Sequence, residues 1–219
     1  VSATNPFCRN RNGSIMHITG EATATSLTQA VPHHVKAMLP QAKLVVIARC
    51  PVRRLISHYN MYLRFQRERR LGYRSLAPIG VMVRDETQRL RRCLRGPIPT
   101  RRPCNAGHLV SPGLYVHSLQ HWESVWPRSQ ILALLTEELA AASTNRMSLR
   151  AYLHSPLTFL GLRAELLDIT GPTPTWANDG SIAKGVGSLA NTSVDAMLPL
   201  VCSLFATWNS KFELWLGRA

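Results

Sequence analysis

Short apolar runs alternate with amphipathic segments along this chain, and the alternation predicts strands and helices in a defined order. Two runs are continuously apolar, Leu44–Ala48 and Ile131–Leu135, which is typical of strands buried in a parallel sheet. Between and after them, apolar residues recur at helical spacing. This spacing predicts helices over 31–39, 51–70, 81–94, 114–126 and 199–216. Strands that alternate with helices indicate an α/β fold with a parallel sheet.

The remaining segments predict irregular structure. Residues 1–30 are polar, apart from a short strand predicted near Ile15–Thr19. Residues 71–112 contain one predicted short helix, at 81–94. The rest of this segment is rich in Pro, Gly and Arg, which predicts a mobile, basic loop. Residues 170–193 predict a loop, and Gly217 suits the C-terminal cap of the last helix. At 219 residues, the chain is long enough for a single domain over 1–219.

The charge is strongly basic, with 26 Lys and Arg residues against 12 Asp and Glu, a formal net charge of +14. Only four of the basic residues are lysine, and the other 22 are arginine. Arginine binds oxyanions through a bidentate fork, which favours an anionic partner. Nucleic acid, an acidic polysaccharide and a phosphorylated cofactor all fit, and a solvated basic surface is the alternative.

The cysteines form no C-x-x-C pair and no zinc spacing, so the sequence predicts no metal site. Cys93 and Cys104 flank a proline-rich loop, where either a disulfide or two free thiols is consistent with the pattern. Two glycosylation sequons, at Asn12 and Asn191, favour the secretory pathway. The sequence contains no apolar run of the length that a membrane span requires.

The junction between the first strand and the next helix is the strongest candidate for a phosphate site. Arg49 leaves the strand tip, Pro51 fits the first helical turn, and Ser57 follows six residues later. Ligands of α/β folds bind at the carboxyl ends of the strands, and a helix N-terminus attracts anions. The alternative is that Arg49 pairs with a nearby carboxylate while Ser57 faces a neighbouring helix.

A second candidate is the loop Lys184-Gly185-Val186-Gly187-Ser188. Its glycines allow close backbone approach to an anion, and its lysine adds a point charge. The chain has no G-x-x-x-x-G-K-[ST] motif, which argues against an ordinary nucleotide hydrolase.

Four ordered groups of segments between residues 20 and 217 carry a family resemblance. They match the patterns "GEKSPSYL…VP…LP", "AKLIVILRDPVERAYSHY" and "GxYxxxLxxWxxxFPxxQIxxLxxEDL", followed by a late Lys-Gly loop and Trp-Asn pair. Together they resemble the sulfotransferases that use 3′-phosphoadenosine 5′-phosphosulfate (PAPS), most closely the Golgi heparan-sulfate branch (N-deacetylase/N- and 3-O-sulfotransferases). The matching residues are 20–27, 31–32, 39–40, 42–59, 113–139, 159–162, 184–185, 208–209 and 216–217.

The resemblance implies a three-layer, P-loop-NTPase-like sulfotransferase fold around a central parallel sheet, with its first strand and phosphosulfate loop expected upstream of residue 1. It implies transfer of a sulfuryl group from PAPS to a hydroxyl or amine, with a glycan as the expected acceptor and no metal. Arg49 and Ser57 would hold the 3′-phosphate of the cofactor, and Lys184, Gly185, Val186 and Gly187 would close over it. The implied location is the Golgi lumen, with a membrane anchor in a segment outside this sequence.

Glu21 is the candidate catalytic base, because it is the carboxylate near the expected strand end. A structural hydrogen-bond acceptor at a strand–loop junction is the alternative role for this side chain. The chain departs from the family pattern at Ala22, Cys50 and Val186, where the family has lysine, aspartate and arginine.

Two other functions stay open. The absence of the phosphosulfate loop from 1–219, together with Ala22 and Val186, favours a non-catalytic relative that binds PAPS, its product 3′-phosphoadenosine 5′-phosphate (PAP) or an acidic glycan. The net charge permits a nucleic-acid-binding protein. Nucleic acid is nevertheless not expected as a partner, because the tryptophans fall at helical core spacing rather than among the arginines. Those tryptophans are Trp122, Trp126, Trp208 and Trp215.

Overall fold

A computed structural model of the chain describes residues 20–23, 26–69, 76–96, 104–167 and 191–218. In these residues the fold is mixed α/β, as the sequence predicts. The elements in chain order are α1 (Ser26–Gln29), α2 (Pro32–Met38), β1 (Leu44–Ala48), α3 (Pro51–Arg67), α4 (Ile79–Arg95), α5 (Tyr115–Glu123), β2 (Ile131–Leu135), α6 (Thr136–Ala142), α7 (Arg146–Leu160) and α8 (Asn191–Trp215). None of the described helices combines the length and apolarity needed to cross a membrane. The predicted strand at Ile15–Thr19 and the Asn12 sequon lie outside the described residues.

The two predicted strands form and pair in parallel. Leu44 lies opposite Ile131 and Ala48 lies opposite Leu135. Because the described residues contribute two strands to this sheet, the three-layer arrangement remains a prediction. The sheet also leaves one face of β1 uncovered, since Val45 and Ile47 are exposed. The expectation that β1 is buried on both faces is therefore wrong for the described part of the chain.

Helix α3 begins where the sequence predicts, because Pro51 has the fixed φ of a first-turn residue. Its buried face contains Leu55, Tyr59 and Tyr62. The helix ends at Arg67, three residues before the predicted end, and Arg69 follows with a left-handed φ of 54°. A backbone in that region cannot continue a right-handed helix.

Two predicted segments are corrected by the structure. The helix predicted at 81–94 is confirmed as α4, which runs from Ile79 to Arg95 and buries the side chains of Ile79, Val83 and Leu90 completely. The mobile, basic loop predicted around this helix is wrong for 108–110, because Glu86 binds their backbone N–H groups and Leu109 and Val110 are completely buried. The last helix begins at Asn191 rather than Pro199, so 191–193 are not part of a loop. Proline removes one backbone hydrogen bond from a helix interior, and α8 nevertheless continues through Pro199. Gly217 adopts a φ of 75° after the helix end, as predicted.

Aromatic side chains pack the helices against the sheet. Ala48 and Ile131 of the sheet pack with Trp122, Trp126 and Phe212 in one buried cluster. A second cluster lies between α3, α4 and α8, and Trp208 packs against both clusters. The indole N–H of Trp126 donates to the carbonyl of Ala42 at 3.1 Å. These aromatic side chains therefore have core positions, as the sequence predicts.

A buried carboxylate on α4 organises the segment that precedes α5. Glu86 is 4% exposed, and its two oxygens accept backbone N–H groups of His108, Leu109 and Val110 at 2.7–3.2 Å. Gly107 lies so close that an added Cβ would fall 2.2 Å from Glu86 Oε1. A glycine is therefore required there. Charge-assisted bonds to several N–H groups are the stable way to bury a carboxylate.

The structure joins Cys93 and Cys104 by a disulfide, one of the two states consistent with the sequence. The bridge ties the last turn of α4 to the segment that Glu86 organises. Next to it, the backbone N–H of Cys104 donates to His117 Nε2 at 2.8 Å. Desolvation by burial lowers the pKa of His117, with smaller contributions from His121 and Lys211. A neutral imidazole is the form that accepts this bond.

We expect Glu86→Gln to lower the free energy of unfolding by about 3 kcal/mol, because the amide nitrogen would face backbone N–H donors and leave them unpaired. Urea denaturation monitored by circular dichroism measures the change. Asp85→Asn is the matched control, since the neighbouring Asp85 side chain is exposed. Equal stability losses in the two variants would contradict a structural role for the Glu86 carboxylate.

Stability is expected to fall in acid because of His58. Burial, then the charges of Arg54 and His108, lowers the pKa of His58 to about 4, from 6.5. Between these two pH values the unfolded chain binds a proton that the folded chain excludes, so stability falls as pH decreases from 6.5 to about 4. His58→Gln should make this decline shallower in denaturation series across that range. The exposed-histidine control His154→Gln should retain the wild-type slope, and a wild-type slope in His58→Gln would contradict the assignment.

Candidate functional site

The parallel register brings the ends of the two strands to the same edge of the sheet. Ala48 and Leu135 are paired and end their strands together. Arg49, Cys50 and the start of α3 therefore lie beside Thr136 and Glu137 at the start of α6. This is the edge at which open α/β sheets bind ligands.

The first turn of α3 carries N–H groups that are available to an anion. Cys50 is the N-cap and makes no side-chain cap, and Pro51 has no N–H. The N–H groups of Val52 and Arg53 follow, and within the described residues neither donates a hydrogen bond. A helix N-terminus with open donors carries a partial positive charge.

Arg49 is held by its backbone, and its guanidinium forms no ion pair within the described residues. Its backbone N–H donates to the Tyr115 hydroxyl at 3.2 Å. Burial is the main cause that raises the pKa of Tyr115, so the phenol remains protonated at neutral pH. This hydrogen bond holds the backbone of Arg49 in place, and the charge of its guanidinium remains available to a ligand.

Ser57 lies on the face of α3 opposite Leu55 and Tyr59, which the core covers. It is half-buried, and its hydroxyl makes no hydrogen bond within the described residues. Arg53 lies one helical turn before it and is exposed. Residues four apart share a helix face, so Arg53 and Ser57 line the same side of α3. Sequence reasoning missed Arg53, although this spacing could have identified it.

Glu137 is the second residue that sequence reasoning missed. Its carboxylate Oε1 accepts the backbone N–H of Cys50 at 2.9 Å and so caps the start of α3. Burial is the largest single effect on the pKa of Glu137 and alone would raise it. The hydrogen bonds that the carboxylate accepts outweigh burial, so the pKa is lowered overall. The charge of Arg49 lowers it further. A carboxyl group with a lowered pKa is a counter-ion rather than a proton acceptor.

The other predicted site residues are not brought to this edge by any contact in the described structure. Glu21 is exposed, and its carboxylate accepts a hydrogen bond from the Thr23 hydroxyl. Its catalytic role remains a prediction. Lys184, Gly185, Val186 and Gly187 lie outside the described residues. Among the described residues, no group of three or more His, Cys, Asp or Glu side chains is arranged to hold a metal.

No protein-family model matches the chain, and no curated protein matches it. Among solved structures, the chain is similar to that of a sulfotransferase from Alicyclobacillus acidocaldarius, with 21% sequence identity and a TM-score of 0.44. The similarity covers 87% of this chain and 67% of the bacterial chain.

The charge interaction between Arg49 and Glu137 gives a direct test of the site. In Arg49→Ala, the pKa of Glu137 should rise, because the nearby positive charge that favours its carboxylate is gone. Carbon-detected NMR titration of the side-chain carboxyl measures the shift. Arg53→Ala is the control, since Arg53 is not among the groups that shift this pKa. A Glu137 pKa that stays at its wild-type value in Arg49→Ala would show that the two side chains do not interact.

Proposed function

We propose that the chain is a sulfotransferase that takes its sulfuryl group from PAPS. The observation that carries the proposal is the anion site at the end of β1, where the unpaired Arg49 guanidinium, two open N–H groups of α3 and the Ser57 hydroxyl belong to one short segment. A guanidinium, backbone amides and a hydroxyl are the donor types that hold a phosphate. The sequence resemblance assigns these positions to the 3′-phosphate of PAPS.

The donor set fits a phosphate, and each member has a separate role. Arg49 would neutralise charge and form a bidentate pair with two phosphate oxygens. The Val52 and Arg53 N–H groups would donate hydrogen bonds to further phosphate oxygens along the helix axis, and the Ser57 hydroxyl would donate from the side. The sulfuryl group itself lies at the other end of the donor molecule, so these residues bind and orient PAPS.

The proposed reaction is an in-line transfer. The bond between sulfur and the oxygen that bridges it to the 5′-phosphate of PAPS breaks, and a bond forms between sulfur and an acceptor oxygen or nitrogen. The acceptor loses a proton to a base, and PAP leaves as the second product. Holding both molecules in line supplies much of the rate enhancement in such transfers.

Glu21 is the proposed base and a glycan is the proposed acceptor. Lys184 and its neighbours Gly185, Val186 and Gly187 are proposed to cover the bound donor. The Cys93–Cys104 disulfide favours an oxidising compartment, which supports a proposed location in the Golgi lumen. The three-layer fold of the sulfotransferases is part of the same proposal.

A second function, PAP or PAPS binding without turnover, is supported by one feature of the site. Glu137 lies at the strand edge, but its lowered pKa makes it a poor base. Radiolabelled PAPS with a mixture of glycan acceptors separates the two functions, because only the enzyme transfers label to an acceptor.

We expect the wild-type chain to bind PAP in isothermal titration calorimetry and Arg49→Ala to bind it about tenfold or more weakly, because a charge-assisted phosphate pair is lost. Ser57→Ala should show a smaller loss, as one neutral hydrogen bond disappears. Arg150→Ala is the control, since Arg150 is an exposed arginine on α7 that donates to the Glu165 carbonyl. Equal affinity of Arg49→Ala and wild type would rule out this site.

A further inference from the structure

Tyr115 places a buried phenol at the strand edge where the phosphate site is proposed. Its side chain is 7% exposed, and its ring packs against Phe212 with 5.6 Å between the ring centres. The hydroxyl oxygen accepts the backbone N–H of Arg49 at 3.2 Å. Because core packing fixes the ring, the hydroxyl has a defined position beside the residue that is proposed to bind the phosphate.

The proton of this hydroxyl has no acceptor within the described residues. A phenol donates one hydrogen bond as well as accepting others, and the bond from Arg49 uses only its accepting capacity. Glu137 is near enough for its charge to act on Tyr115, but the Glu137 oxygens accept the Cys50 N–H and the Thr136 hydroxyl instead. An unpaired buried donor is costly, and an oxygen of a bound ligand would satisfy it.

The surroundings of the phenol favour donation to an anion. Burial is the main effect on the pKa of Tyr115 and raises it, so the hydroxyl keeps its proton at neutral pH. The charge of Arg54 opposes this rise, and the same charge attracts an anion to the hydroxyl. The Arg54 guanidinium is itself held in place, because it donates to the Leu109 carbonyl. A charged acceptor is therefore favoured over a neutral one.

We propose that the Tyr115 hydroxyl donates a hydrogen bond to the phosphate bound at Arg49, which makes Tyr115 a further ligand-binding residue of that site. This inference rests on the proposed function, because the phosphate concerned is the 3′-phosphate of PAPS or PAP. The oxygen of the hydroxyl holds the Arg49 backbone, while its proton reaches the ligand. Tyr115 thus ties α5 to the bound donor molecule through a neutral side chain.

The test compares PAP with adenosine 5′-phosphate, which lacks the 3′-phosphate, in isothermal titration calorimetry. Tyr115→Phe should bind PAP about tenfold more weakly than wild type, since a hydrogen bond to a charged acceptor is lost. The two proteins should bind adenosine 5′-phosphate equally, because the hydroxyl then has no phosphate to reach. Tyr152→Phe is the matched control, since the Tyr152 hydroxyl donates to the Leu135 carbonyl at 3.3 Å. It should bind both ligands as wild type does.

A second measurement separates contact with the ligand from support of the Arg49 backbone, because Tyr115→Phe removes both. Tyrosine labelled with carbon-13 at Cζ reports each phenol by NMR in the wild-type chain. Adding PAP should shift the Tyr115 Cζ resonance and raise the pKa of this phenol, since a phosphate that accepts the proton stabilises the protonated form. The Tyr152 resonance should stay in place, and adenosine 5′-phosphate should move neither.

The outcomes distinguish this inference from the donor site itself. Absence of PAP binding by the wild-type chain would overturn both. PAP binding that is lost in Arg49→Ala and unchanged in Tyr115→Phe would overturn the role of Tyr115 alone. Weaker binding by Tyr115→Phe with an unmoved Tyr115 resonance would also overturn it, because the hydroxyl would then act only through the Arg49 backbone. Thermal unfolding checks that Tyr115→Phe is folded, and the NMR titration of the wild-type chain decides the question if it is not.

Discussion

The parallel pairing of β1 with β2 determines where the candidate site lies. Because Ala48 and Leu135 are register partners, the residues that follow both strands emerge at one edge. An antiparallel pair would place Arg49 and Glu137 at opposite ends of the sheet. The same pairing places the start of α3 at this edge, since Pro51 follows β1 after only two residues. Tyr115 then accepts the Arg49 N–H, so α5 and the sheet together fix the backbone of the site.

Opposed charges lie at this edge, where the phosphate site is proposed. Glu137 caps Cys50 and interacts with Arg49, which compensates part of the positive potential of the helix start. The Val52 and Arg53 donors remain open within the described residues, and the Arg49 guanidinium forms no ion pair there. A phosphate would therefore add to the cap rather than replace an internal salt bridge.

Local patterns in the sequence were sufficient for the strands, for α3 and for the aromatic core. Continuous apolar runs marked β1 and β2, and Pro51 marked the beginning of α3. The pattern also predicted α4 to within two residues at each end, but it was misleading for 108–110, because the Glu86 carboxylate that orders them lies 22 to 24 positions away. Pro199 misplaced the start of α8, since tertiary packing outweighed the cost of a proline inside the helix. Glu137 could not be identified from neighbouring residues, because its partner Cys50 is 87 positions away and only the strand register connects them.

The most direct test of the donor site is to follow backbone amide resonances while PAP is added. In nitrogen–proton correlation spectra of the isotope-labelled chain, the Val52 and Arg53 amides should shift most, because their N–H groups are the open donors at the start of α3. Adenosine, which carries no phosphate, should leave them in place. Large PAP-induced shifts confined to other parts of the chain, with Val52 and Arg53 unmoved, would contradict a phosphate site at this helix.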